Sequence, residues 1–552
     1  MATDTNEARM KCSSNDGILA GAKPRRLPSI SGCPATGRLL RVVETVGVAF
    51  AATVCNAQVL PADIPGELRI GQSTSWQITP EISVTETRTD NAALTPASTA
   101  RKSWVTEYTP GIRIEKTGVR TRIFADFRFH DFRYARNSQF NNNQRLLNSF
   151  ATMEAIDNLF YVDANANISQ QNRSAFSLAA ATDASGPNGN RVETATNQIS
   201  PHIRGKLADI AAYQLRFVGA DIRSNDIALP DTKGKQWTGF IKNERARSGF
   251  GWAIDGNALS FRNKTVGKAH DERVRASLSY EFDPQVHLTA IGGSENTNFA
   301  GTRNGAHTSG IGLEWSPDAR TQFAAVKEKR FFGNSHSATI SHRTRLSAWK
   351  FTSTRDVTAL SSQLTASGAG STAGLLADLL ASTIPDPIAR EAAVRQQLEA
   401  SGISGNSALS GGFATGRAFL VRNDEASVAV RGIYNTVTLI LLRADRRAFG
   451  SASATTDSFS LSNEIRQRGV NLNWVYRLSP HASLSLVGTA LRSEGLSTTN
   501  LDSNQRSLNL LFSTRIGQNT FATLGTRRVI FENSVNTGYR ENAFLGSVSL
   551  RY

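Results

Sequence analysis

The chain has 552 residues, 39% of them hydrophobic and 20% charged, with a formal net charge of +16 and a mean hydropathy of −0.29. Outside the N-terminal region no run of about 18 or more apolar residues occurs, which excludes a helical membrane bundle. Its 27 Phe, 9 Tyr and 7 Trp are more aromatic surface than a disordered chain carries, and no Pro/Ser-rich linker divides it into the domains of about 100–200 residues expected of a soluble protein this long.

All three cysteines, Cys12, Cys33 and Cys55, fall before residue 58. Arg38 and Arg41 precede an apolar stretch from Thr45 to Val54, and Cys55-Asn56-Ala57 follows with small or short residues. This reads as a secretory signal peptide over residues 1–57 with an over-long basic region, cleaved between Ala57 and Gln58. Residues 58–552 then contain no cysteine, so an exported chain must be held together by something other than disulfides.

Past the leader, period-two alternation begins near 74–88 and recurs to the end of the chain. The clearest hairpin has Val274, Ala276, Leu278, Tyr280 and Phe282 alternating with Arg275, Ser277, Ser279 and Glu281, then a turn at Asp283-Pro284-Gln285. Further tight turns follow apolar and aromatic residues at Ser316-Pro317-Asp318, Ser479-Pro480-His481 and Gly517-Gln518-Asn519. The intervening connections are longer and rich in Asn, Gly and Ser. Short turns at one end and long loops at the other are the pattern of a transmembrane β-barrel, with Trp315, Trp474 and Tyr476 placed for an interfacial girdle. A soluble sandwich also alternates, but predicts no such loop asymmetry.

Counting segments predicts an all-β, closed antiparallel barrel of the bacterial outer membrane with about 22 strands, in a range of 18–24. The less regular N-terminal part contributes candidates near 74–88, 103–116, 119–135, 158–170 and 174–181. Even strand numbers put both termini in the periplasm. Residues 357–417 break the rhythm and are expected to form one long, partly helical extracellular loop. Leu375, Leu376, Leu379 and Leu380 have helical spacing. Asp386 can cap a second helix that starts at Pro387, carries Val394 and Leu398 on one face and ends at Gly402. This hairpin is either a constriction or lid over the lumen, or a loop packed on itself.

No HExxH, nucleotide-binding or triad pattern is present, and no catalytic residue, cofactor or metal ligand is assigned. His336 and His342 are the one close histidine pair, and Asp424-Glu425 reads as a polar stretch of strand. Strand parity puts Arg122, Arg128, Arg216 and Arg275 on the polar face, hence toward a mildly cationic lumen that would favour anions. Alternatively, rim cations meet lipopolysaccharide phosphates. Basic and aromatic residues fall on opposite parities, so nucleic acid is not an expected partner.

The final stretch, GSVSLRY, places Phe544, Val548, Leu550 and Tyr552 on one face. It resembles the C-terminal signal read by the barrel assembly machinery, with closure expected against the strand near 74–88. SWQITPEISVTETRTDN, EYTPGIRI, RFFGNSHSATISHRTR, IPDPIAREAAV and VAVRGIYNTVTL together resemble the outer-membrane β-barrel family associated with PEP-CTERM/exosortase sorting systems. The resemblance covers nearly all of 74–552 and implies a Gram-negative cell with exopolysaccharide genes nearby, with no defined activity. The expected function is a non-enzymatic barrel serving export of polysaccharide or sorted protein, with outer-membrane lipid and lipopolysaccharide as its surroundings. A closed adhesive barrel is the alternative, and a barrel hydrolase the third reading.

Overall fold

In the computed structural model the described residues are 76–177, 190–208, 210–226, 229–243, 249–264, 267–299, 304–358, 372–381, 384, 387–400, 412–449, 457–497, 501–534 and 538–552. The expected leader and its Ala57–Gln58 junction lie outside them, as do Asp386 and Gly402.

The described residues form 22 strands in one sheet. They are β1 (Trp76–Thr89), β2 (Ser103–Thr117), β3 (Thr121–Tyr134), β4 (Asn142–Ile156), β5 (Phe160–Asn172), β6 (Arg191–Leu207), β7 (Ala211–Ser224) and β8 (Thr232–Asn243). Next come β9 (Phe250–Asn263), β10 (Gly267–Asp283), β11 (Val286–Thr297), β12 (Asn304–Asp318), β13 (Thr321–Arg330), β14 (Gly333–Arg343) and β15 (Ser347–Thr358). After the long insertion follow β16 (Phe419–Arg431), β17 (Asn435–Ala448), β18 (Glu464–Arg477), β19 (Ala482–Gly495), β20 (Asp502–Arg515), β21 (Thr520–Asn533) and β22 (Tyr539–Arg551). Every strand pairs antiparallel with its sequence neighbours, and β1 pairs with β22 through nine register positions, Glu81↔Arg551 to Thr89↔Ala543. The sheet therefore closes and leaves no free edge whose backbone groups lipid could not satisfy.

Alternation decides which way each side chain points. On β10, Val274, Leu278 and Tyr280 are exposed on the outer wall while Asp271, Arg273 and Arg275 are buried inside. Apolar residues outside and polar residues inside define an outer-membrane barrel. Trp252, Trp315, Trp349 and Trp474 face outward close to the short turns, as a girdle requires.

The strand total agrees with the sequence reading, but two of its members do not. β4 was not foreseen: its lipid-side parity reads Leu147, Ser149, Ala151, Met153, while Leu146 and Phe150 point inward, so neither face is distinctly apolar. Conversely, the strand expected near 174–181 is not found over its described part, 174–177. Residues 174–177 are irregular, their Phe176 buried beside Phe413 and Phe459, and 178–181 fall outside the described residues. The two errors cancel in the count.

Candidate functional site: a plugged lumen

A ring of 22 strands encloses more space than wall side chains can fill, so the contents of the lumen decide what the barrel can do. All four arginines singled out by parity do face inward, yet each meets a carboxylate. Arg122 pairs with Glu391 at 2.6 Å, Arg128 with Asp126 at 3.1 Å, and Arg216 with Asp163 at 2.7 Å. Arg275, 3% exposed, reaches Asp255 at 2.9 Å and Glu328 at 2.6 Å. These four do not supply the free cationic lining that their parity implied.

Arg275 spans two intervening strands to reach Glu328, and glycine makes room for it. A Cβ at Gly310 would lie 2.6 Å from the Glu328 side chain, and one at Gly293 would lie 2.2 Å from the Val274 carbonyl oxygen. Beside this triad, Arg330 holds Glu295 and Asp356 together. The sequence reading missed these partners. The signal was present in VKEKR, where Glu328 and Arg330 share the inward parity and Lys327 and Lys329 the outward one.

The described helices of the insertion after β15 pack on the inner wall at the short-turn end of the lumen. Its helices are α1 (Thr372–Leu380) and α2 (Pro387–Ala400), the second starting at Pro387 as the sequence predicts. Leu375, Leu376, Leu379, Leu380, Val394 and Leu398 are buried against Ala348, Ala429, Ile440 and Val487 of the inner wall. Polar contacts pin the pair from two sectors. On one side Arg395 meets Glu115 at 3.2 Å and Glu391 meets Arg122. On the other, Asn473 Nδ2 donates to Thr372 Oγ1 at 3.0 Å and Gln397 Nε2 to Thr436 Oγ1 at 3.4 Å. Glu115, Arg122, Thr436 and Asn473 all lie near the short-turn ends of their strands. The sequence placed this segment among the extracellular loops. It does leave and rejoin the wall at the long-loop end, but its apolar faces carry the helices deep inside, where the wall offers matching apolar positions.

The same segment returns across the opposite mouth. The Ala414 N–H donates to the Asn172 carbonyl at 2.8 Å, and Asn263 Nδ2 donates to the Gly416 carbonyl at 2.8 Å. Thr415 Oγ1 donates to the Asp457 carboxylate at 2.8 Å, and Arg417 pairs with it at 3.2 Å. Asp457 also caps the short helix α3 (Ser458–Leu461), accepting from the Ser460 N–H at 3.1 Å. Phe413 meets Phe459 edge-on, ring centroids 5.2 Å apart. Thr415 is wholly buried. Asn172 and Asn263 end β5 and β9, so residues 412–418 form a strap over the long-loop mouth. The Phe413 side chain, set in a Gly/Ser tract, was the available sequence clue to packing there.

Asp424 and Glu425 project to opposite faces, Asp424 pairing with Arg422 at 3.0 Å on the outside. His336 and His342 both face outward; His336 Nε2 lies 3.0 Å from Ser353 Oγ. At the closing seam Phe544 and Tyr552 are exposed outward, Val548 faces Val84 and Leu550 faces Ile82 across the register. The Tyr552 N–H donates to the Pro80 carbonyl at 3.0 Å.

No protein-family model matches the chain, and no curated protein matches it. Among solved structures it is similar to the FrpB iron transporter from Neisseria meningitidis, with 8% identity and a TM-score of 0.47 over 87% of this chain and 83% of that one. It is also similar to the siderophore receptor PirA from Acinetobacter baumannii (7% identity, TM-score 0.47, 87% and 81% covered). The PirA receptor from Pseudomonas aeruginosa gives 10% identity and a TM-score of 0.39 over 87% and 81%. No ligand is carried over from any of them.

Proposed function

We propose that this chain is a non-enzymatic outer-membrane conduit, closed at rest by its own insertion, which serves surface export in a PEP-CTERM-linked system. In this reading both termini and the short turns are periplasmic, and the long loops face outward. The observation that carries it is a single segment, 359–418, contributing both the helices at one end of the lumen and the strap at the other. A purely structural barrel needs no lumen of this width. A stopper made from a loop, pinned by a few polar contacts, is one that a partner or cargo can displace. The cargo class follows from the family resemblance: exopolysaccharide or a sorted surface protein.

Planar-bilayer conductance tests the reading. The intact chain is expected to hold a tight seal, and a variant lacking 372–418, helices and strap together, to conduct in large steps. Free conductance by the intact chain would remove the plug, and a sealed deletion variant that still folds would remove the conduit. The buried strap, held on Asp457 by Thr415 and Arg417, favours the second reading, a closed barrel that binds glycans or partners through its loops. A sealed deletion variant is the outcome that reading requires.

A further inference from the structure

The outer wall carries a concave depression of about 1100 Å³ that neither the lumen nor the closing seam explains. Its floor is made by Ala125, Ala151, Ala164 and Gly219, with Ile199 and Phe217 standing along it. All six are on the outward parity, in direct register from strand to strand: Ala151↔Ala164, Ala164↔Ile199, Ile199↔Gly219. The depression thus follows the hydrogen-bonding direction across β3–β10. Strands in such barrels are tilted by about 35–45°, so this line also travels through the membrane's depth. It starts in the short-turn half of β3, at Ala125, and ends at Lys268, the second residue of β10 at the long-loop rim.

The rim end is basic. Lys233, Lys235, Arg262 and Lys268 all line the depression there and are exposed. Lys233 stands directly opposite Arg262, and Arg262 directly opposite Lys268. Three cations side by side on adjacent strands, about 10 Å across, destabilise a sheet on their own. None of the four has an ion-pair partner among the described residues. The neighbouring Asp221 is held by Arg223 at 3.0 Å. A second, smaller depression of about 370 Å³ is lined by Arg443, Arg468 and Arg492, also side by side in register, but there Asp445 pairs with Arg443 and Glu494 with Arg492 at 2.9 Å each. In the first patch the carboxylate opposite Lys233, Asp221, is engaged by Arg223 and none of the four cations is paired among the described residues, whereas two of the three arginines in the second are.

We propose that this depression is a built site for lipopolysaccharide, the cationic rim taking the phosphates of its lipid anchor and the apolar floor taking acyl chains. Charge complementarity and the placing of the cations at the rim end of an apolar trough select a phosphorylated, multiply acylated lipid. The choice of the outer leaflet rests on the orientation proposed above. The phosphates relieve the like-charge row, and the chains cover small residues that leave the wall hollow.

Trp237 gives a local reporter: it is exposed on β8, two residues from Lys235, with its ring 4.8 Å from that of Phe217. The folded full chain is reconstituted in phosphatidylcholine nanodiscs and titrated with purified rough-type lipopolysaccharide, reading tryptophan emission and bound phosphate. Saturable binding of the native chain is expected, weakened at least tenfold in K233E/R262E/K268E. Reversing Arg343 and Arg345 near the short turns is expected to leave it unchanged. Equal binding by both variants overturns the site. Equal competition by phosphatidylglycerol overturns the commitment to lipopolysaccharide. Orientation is read separately, by impermeant maleimide on a cysteine placed at position 98 in intact cells. Labelling there upholds the outward long loops, and its absence overturns the outer-leaflet assignment whatever the binding result.

Discussion

Arg275 shows how much one inward side chain demands of its neighbours. Its guanidinium holds two carboxylates, and the Glu328 side chain is 1% exposed. Arg275→Leu leaves both acids without their partner, which costs about 3–5 kcal/mol for a buried pair broken on one side. The expected result is a lowered urea midpoint of the refolded barrel, with R275L/E328L recovering part of the loss. Gly293→Ala should act without touching charge, because its new Cβ has nowhere to go but into the Val274 carbonyl; a reduced heat-modifiable band on gels would show it. At the seam, deleting Tyr552 removes the N–H held by Pro80 and an exposed outward ring. Lower barrel levels in outer-membrane fractions are expected, and unchanged levels would end the reading of this residue as an assembly determinant. Parity made the direction of Arg275 legible in the sequence. Its partner, 53 residues away, was not legible, because pairing across three strands depends on the closed register.

At the scale of elements, hairpins with strong contrast were readable almost residue by residue, as in β10 with Val274 to Phe282 outside. β4 was not, because Phe150 stacks inward on Phe124 at 5.5 Å and its lipid face interrupts Leu147 and Met153 with Ser149 and Ala151. A lumen that contains protein accepts apolar side chains, and that blurs the alternation on which the reading depends. The helices of the insertion were legible from the spacing of Leu375, Leu376, Leu379 and Leu380; their destination was not, since helical spacing says which face is apolar and not what it meets. The destination can be tested without deletion. Leu376→Asp with Leu379→Asp puts two carboxylates into the contact with Ala348, Ala429 and Ile440. Frequent opening in a planar bilayer is expected, with the heat-modifiable band retained.

At the scale of the whole molecule, two groups of cations among the described residues stand in contrast. Inside, the inward Arg446 meets Gln467, but Arg122, Arg128, Arg216 and Arg275 are answered by acids. Outside, near the long-loop rim, Lys233, Lys235, Arg262 and Lys268 are not. The anion-favouring lumen expected from strand parity drew on four arginines that are each neutralised in place.

Closure joins positions far apart in the chain: Thr89 donates to Glu541 across 452 residues. Such contacts form slowly, since a long loop must be ordered before any of them is made. The insertion lies in the middle of the sequence and grips both β2–β3 and β15–β18. During assembly it can therefore act as a mandrel, holding early and late strands at their final curvature before β1 and β22 meet. On that account, shortening it slows the barrel's completion as well as opening its bore, and the stopper is also the form around which the wall is laid.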